Sequence, residues 1–437
     1  MADEEVQKFN KCLLYILIFL MIITGSMNTI FNKIIQKSEG LDVLFESHHW
    51  FITYGMFLGE IISFFIYIFL KCREKKIKED TVPNSSSEEK EKKPPVPSNL
   101  IFAITATFDL FATTINTFGL TYLTSSILSM LRSLEIIYVC LWSRIFLKNP
   151  IYNHHFLGIG SLIFGLILVG INALIYDSNQ VAKEPIVGII LLLISQMFSS
   201  AEYIFQEKFI KYYDVHPFQL VGFEGLWGII IYTIMLIIFQ NISCDNWADF
   251  LKKGICSINE KGKYHLEDSE FAFRQMRDKI SILIIYIFYV ISIFFYNVIG
   301  ISLTKLDSSI ARAVVDTSRS AFIWLFFLAF DPVKNTKENY HTLQLIGLLF
   351  IVFGTLFYNE IIVIPYWGLD INIRKNIEKR KKQKFLDDLA NEREEDDLYV
   401  NEQSKDSNVE KDENEKIVLL RIYDLIFHMF DTCSIME

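Results

Sequence analysis

Ten stretches of mostly apolar residues, each about 20 long, divide this sequence: 12–34, 50–70, 100–122, 124–146, 155–176, 185–210, 217–239, 280–303, 308–330 and 343–364. A helix of about 20 apolar residues crosses the hydrocarbon core of a bilayer, so the stretches predict an all-α membrane protein with ten transmembrane helices. A soluble chain of 437 residues would spread its apolar residues in amphipathic patterns instead. Composition agrees: 51% hydrophobic and 15% aromatic residues, only 9 Pro and 19 Gly, and a mean hydropathy of +0.30 exclude collagenous, disordered and disulfide-rich secreted chains. The net charge of -9 resides mostly in loops and tails, leaving no basic footprint for nucleic acid.

An even number of spans puts both ends on one side. The first stretch runs past the short apolar core of a signal peptide and ends in Asn32 and Lys33 without a small-residue cleavage site, so it reads as retained. Lys and Arg near helix ends mark the cytosol. They crowd the connection between the second and third spans (Lys71, Arg73, Lys75, Lys76, Lys78, Lys90, Lys92, Lys93) and the segment after the tenth (Arg374 to Lys384), whereas the opposite loops carry few. Both termini are therefore expected in the cytosol, in an endomembrane organelle rather than the plasma membrane. The connection 240–279 mixes bases with acids and is assigned to the other side, since long loops obey the rule less strictly.

The layout is a cytosolic N-terminus at 1–11, a first five-helix half at 12–176 with a charged cytosolic loop at 71–98, a second half at 185–364, and a cytosolic acidic tail at 365–437. Residues 79–97 and 385–415 have the polar, charged composition of disordered segments. The stretch 416–430 is amphipathic and too short to span.

The halves resemble each other. Ser125–Ser126–Ile127 opens the fourth span as Ser308–Ser309–Ile310 opens the ninth. The following spans share a glycine spacing, Gly158 and Gly165 against Gly347 and Gly354, and Ile30–Phe31–Asn32 matches Ile204–Phe205–Gln206 more loosely. Because five is odd, the second copy enters the membrane from the opposite side, which predicts two inverted five-helix repeats, the plan of many secondary transporters.

Charges inside the spans carry the chemistry: Glu60, Asp109, Arg132, Glu135, Glu202, Arg312, Asp316 and Arg319. At a helix centre each Asp or Arg costs about 2.5–3.5 kcal/mol on the lowest scales, so these groups should face one another or a watery cavity. Arg132 and Glu135 are i,i+3, and Arg312, Asp316 and Arg319 are separated by four and three, placing each set on one helical face. Asn28 and Asn116 extend the polar stripe, with Thr105, Thr113, Ser195 and Ser199 readable either as cavity lining or as interhelical glue. A closed ion-pair network with no solute is the competing reading.

No zinc-protease, Cys-x-x-Cys or nucleophile-elbow spacing is present, so no enzyme, cofactor or metal site is expected. His48–His49 and His154–His155 are adjacent pairs at helix ends and read as interfacial. Cys244 and Cys256 share the 240–279 connection, where an oxidising compartment would permit a disulfide.

Several motifs occur in order. Gly25–Ser26–Met27–Asn28–Thr29, Gly55 through Glu60, Met130–Leu131–Arg132, Gln206 through Phe209 to His216–Pro217 and Glu224–Gly225–Leu226, and Arg312 through Asp316 to Arg319 together resemble the F-type members of solute carrier family 35, in the drug/metabolite transporter superfamily. Phe108 through Thr113 is similar to the chloroquine-resistance transporters of that superfamily. The resemblance implies a ten-helix carrier with a central cavity opened alternately to each side, and the charges inside the spans favour a small organic metabolite, anionic or zwitterionic, as its solute. Arg132 and Arg319 would contact a negative group. Glu135 and Asp316 would orient them or carry a coupling proton, and Asn28, Glu60, Asp109, Asn116 and Glu202 would line the route. A nucleotide-sugar-type exchanger, a channel, a membrane enzyme and a non-transporting scaffold are the alternatives, and protein partners are not indicated.

Overall fold

The computed structural model describes residues 2–41, 43–45, 48–80, 94, 98–148, 152–176, 185–213, 215–246, 255–258, 263–333 and 336–358, then 360, 362–366, 368–373, 375–377, 379–384, 386–388 and 390. The stretch 416–430 and most of 79–97 and 385–415 lie outside these residues.

The helices are α1 (Ala2–Lys37), α2 (His49–Asp80), α3 (Phe102–Tyr122), α4 (Ser125–Leu131), α5 (Leu134–Trp142), α6 (Asn153–Tyr176), α7 (Pro185–Tyr212), α8 (Pro217–Gln240), α9 (Ser269–Asp278), α10 (Ile280–Leu306), α11 (Ser309–Ala329) and α12 (Thr342–Tyr358). Among the described residues, eight segments are long and apolar enough to cross a membrane, α4 and α5 together forming one of them. Of the others, α11 carries Arg312, Asp316 and Arg319, and α12 is apolar but has 17 residues.

Local chemistry sets the starts. Pro217 opens α8 with a φ suited to a first turn. Ser308 Oγ accepts the Ala311 N–H at 3.1 Å to cap α11.

The packing is inside-out relative to a soluble protein. Phe19, Phe65, Ile163, Ile194, Ile237, Phe288, Phe322 and Leu349 are exposed, whereas Arg312 and Arg319 are among the largest buried side chains. An apolar girdle this broad calls for lipid. Inside it α1 packs on α10, α3 on α7, α2 on α8 and α6 on α12, while α4 meets α11. Glycines bring α6 and α12 together: a Cβ added at Gly165 would lie 2.7 Å from Gly347 O, and one at Gly354 2.7 Å from Gly158 O.

Several expected boundaries are corrected. The span at 124–146 is not one helix but breaks at Arg132–Ser133. There the N–H groups of Ser133, Glu135 and Ile136 bond three residues back at 3.1, 2.9 and 3.2 Å, a tightened turn. The loop assigned to 71–98 starts later, because α2 continues through Asp80 on Lys, Arg and Glu, good helix formers that carry it into water. The span at 343–364 stops at Tyr358, with Glu360 in the left-handed region at φ 60. Outside the spans, two hairpins qualify the all-α expectation: Glu39–Gly40 pairs with Val43–Leu44, and Ser257–Ile258 with Tyr264–His265.

Those hairpins belong to a cap that joins the α1–α2 connection to the segment before α10. Gln275 Nε2 donates to Gly40 O at 2.9 Å and Val43 O at 3.1 Å. His48 Nδ1 lies 2.6 Å from Glu267 Oε1, both fully buried, and Glu267 Oε2 accepts the Phe51 N–H at 3.2 Å. Cys244 and Cys256 are joined by a disulfide. Residues 370–437 form a separate unit, in whose described part Arg380 Nη2 donates to Ile371 O at 2.8 Å.

Candidate functional site

A cavity of about 90 Å³ lies among α1, α2, α3, α4, α5, α7, α10 and α11. Seven of the nine site residues expected from sequence line it: Asn28, Asp109, Asn116, Arg132, Glu135, Glu202 and Asp316. Glu60 and Arg319 stand one layer back. Asn297 Nδ2, from the lining, donates to Glu60 Oε1 at 2.5 Å, and Arg319 Nη2 lies 3.0 Å from Asp316 Oδ2.

The break in the fourth span decides how the charges pair. Arg132 caps α4 and Glu135 begins α5, and the expected Arg132–Glu135 pair is absent among the described residues. Glu135 Oε1 instead accepts the Ser199 hydroxyl at 2.5 Å. Arg132 reaches across to α11, its Nη1 3.9 Å from Asp316 Oδ2, with 18% of its side chain exposed. Asp316 and Arg319 do pair, each 2% exposed, and Tyr296 O–H donates to Asp316 Oδ1 at 2.5 Å. Arg319 also lies over the Tyr296 ring at 4.9 Å. Gly25 makes room for it, since a Cβ there would stand 2.5 Å from Arg319 Nη1. Arg132 Nε and Asn116 Oδ1 have no hydrogen-bond partner.

Arg312 does not pair with Asp316. Its Nη1 donates to Gln206 Oε1 at 2.6 Å, and its guanidinium lies 3.9 Å from the Tyr203 ring centroid. Gln206 Nε2 in turn donates to Glu202 Oε1 at 2.6 Å and to Glu224 Oε1 at 2.9 Å. Glu60, Asp109, Glu202 and Glu224 thus form an acidic side, and Arg132, Asp316 and Arg319 a mixed side. Ser195 and Thr113 both line the cavity; Ser195 also joins helices, donating to Ala112 O at 2.8 Å, and Thr113 donates to Asp109 Oδ1 at 2.9 Å.

Sequence reading left Arg312, Gln206 and Glu224 out of the site, although Arg312 was visible as a charge inside a span. Tyr203, Tyr289 and Tyr296, all lining residues, had no such signal: a tyrosine in an apolar helix looks like packing.

Two further charges sit beyond the cavity. Lys33 Nζ, on a residue 4% exposed, donates to Leu120 O at 2.7 Å and Leu123 O at 3.3 Å, the carbonyls ending α3. Glu207 Oε2 accepts the Ser309 N–H at 3.0 Å and the Ser309 hydroxyl, at the start of α11. Each uses the favourable end of a helix dipole.

Residues 13–171 match the EamA-like transporter family and residues 100–249 match solute carrier family 35. Solute carrier family 35 member F6 of Rattus norvegicus is 32% identical over 348 residues, 78% of this chain and 87% of the relative. The Homo sapiens protein of that name has the same identity and coverage. An uncharacterized protein of Schizosaccharomyces pombe is 25% identical over 350 residues, 79% of this chain and 97% of the relative.

Proposed function

Since this chain belongs to solute carrier family 35, a family of membrane transporters and not of enzymes, we propose that it carries a zwitterionic organic metabolite by alternating access. The carrying observation is the division of charge around the cavity. The carboxyl and guanidinium groups in the lining are Asp109, Glu135, Glu202 and Asp316 against Arg132 and Arg312, an acidic excess that disfavours a purely anionic solute. Arg132, loosely paired and partly exposed, receives the solute's negative group; the side made by Asp109 and Glu202 receives its ammonium. A proton is the coupling ion. Glu60 is 1% exposed and its Oε2 has no hydrogen-bond partner, the setting in which a carboxyl inside the membrane serves to take up and release a proton.

The repeat supports the motion. On this reading ten spans run as two inverted sets of five, α4 and α5 counting as one span, and the packing supports it: α1 on α10 answers α7 on α3, and α1 on α11 answers α7 on α5. Asn32–Lys33 and Gln206–Glu207 hold matching places, so Lys33 closes the end away from the cytosol and Glu207 the cytosolic end. Each opening breaks one of these contacts. Both termini face the cytosol of an endomembrane compartment.

The test is reconstitution of the purified protein in liposomes and uptake of labelled zwitterionic, anionic and cationic metabolites with and without a pH gradient. Saturable, gradient-stimulated uptake of a zwitterion is expected. Uptake confined to anions would overturn the solute class, and no saturable flux from folded protein would overturn transport itself.

A further inference from the structure

We propose that His154, His155 and Glu360 form a binding site for a divalent transition-metal cation of the zinc type, away from the transport cavity. His154 and His155 begin α6, and Glu360 follows the end of α12, so about 200 residues of chain separate donors that the fold unites. One donor atom from each lies within 4.8 Å of the other two. Around tetrahedral zinc with bonds of about 2.0–2.2 Å, donors stand roughly 3.5 Å apart, so modest side-chain rotation closes the set.

His154 points to a ligand. The residue is 3% exposed, and neither of its ring nitrogens has a hydrogen-bond partner. Its Nε2 lies 3.0 Å from Glu360 Oε1 without the alignment of a hydrogen bond. A buried imidazole facing a carboxylate and a second imidazole is the donor chemistry that zinc, cobalt and nickel take up. His155 Nδ1 accepts the Tyr152 N–H at 3.0 Å; to ligate through Nδ1, His155 exchanges that bond for the metal. Glu360 is held in the left-handed region at φ 60, a conformation uncommon for a non-glycine residue and concentrated at functional sites. Three protein ligands leave a fourth position for water. None of these residues touches the transport cavity, so the cation would clamp the last helices of the two repeats to one another at the end that charge asymmetry assigns to the cytosol.

The experiment uses the full purified chain. Zn2+ binding is measured by equilibrium dialysis with metal analysis, and Co2+ is added to record its visible absorption, which reports coordination geometry. The expected result is one Zn2+ per chain and an intense tetrahedral Co2+ spectrum, with His154→Ala and Glu360→Gln each weakening Zn2+ binding about tenfold or more. Glu360→Gln keeps the side chain's shape, and its metal-free melting temperature separates lost binding from lost folding. No stoichiometric Zn2+ in the parent protein overturns the site, as does Zn2+ binding that both variants leave unchanged.

Discussion

Asp316 accepts the Tyr296 hydroxyl and lies against two guanidiniums, those of Arg319 and Arg132. It is buried and Arg132 is not, so the two should fail differently when neutralised. Asp316→Asn leaves Arg319 as an unpaired buried cation, a change that costs about 3–5 kcal/mol; a clear fall in melting temperature in detergent is expected along with loss of uptake. Arg132→Gln removes a partly hydrated cation whose nearest carboxylate already has a closer partner. Near-normal melting with abolished uptake is the expected result, and equal destabilisation by both variants would mean that Arg132 is structural. The sequence showed that these charges exist, because a charge inside an apolar stretch is conspicuous. It did not show their partners: the i,i+3 rule holds for Asp316 and Arg319 on an intact helix and fails for Arg132 and Glu135, where the helix breaks between them.

Elements were legible where the apolar run and the helix coincide. Boundaries failed where charged residues continue a helix into water, as at Lys71–Asp80, or where an apolar run outlasts its helix, as after Tyr358. The matched glycines proved informative in a second way. Gly158 meets Gly354 and Gly165 meets Gly347, so the spacing that suggested a repeat is also the contact that joins α6 to α12. Gly165→Leu should force these helices apart, with an overpacking cost of about 1–3 kcal/mol read as a lower melting temperature. Gly160 offers a control on the same helix, since nothing lies within 4 Å of a Cβ there; Gly160→Leu should melt like the parent. Equal melting of all three proteins would show that the close approach is not needed for stability.

The whole molecule's orientation rests on its Lys and Arg asymmetry, and the disulfide supplies an independent check. In sealed vesicles with the cytosolic face outward, a tag inserted within 79–97 should be reached directly, whereas Cys244 and Cys256 should react with a thiol reagent only after permeabilisation and reduction. Direct reaction of these cysteines in intact, non-reduced vesicles would invert the assignment. The cap around that disulfide bears on how such a molecule moves. It fastens the connection between α1 and α2, in the first half of the chain, to the segment between α8 and α10, in the second, through Gln275, Glu267 and His48. A lever braced at one end hinges elsewhere. The brace crosses the midpoint of the chain: α1 and α2 from the first half and α8 and α10 from the second meet under one cap, so any opening that leaves the cap intact falls to the unbraced end.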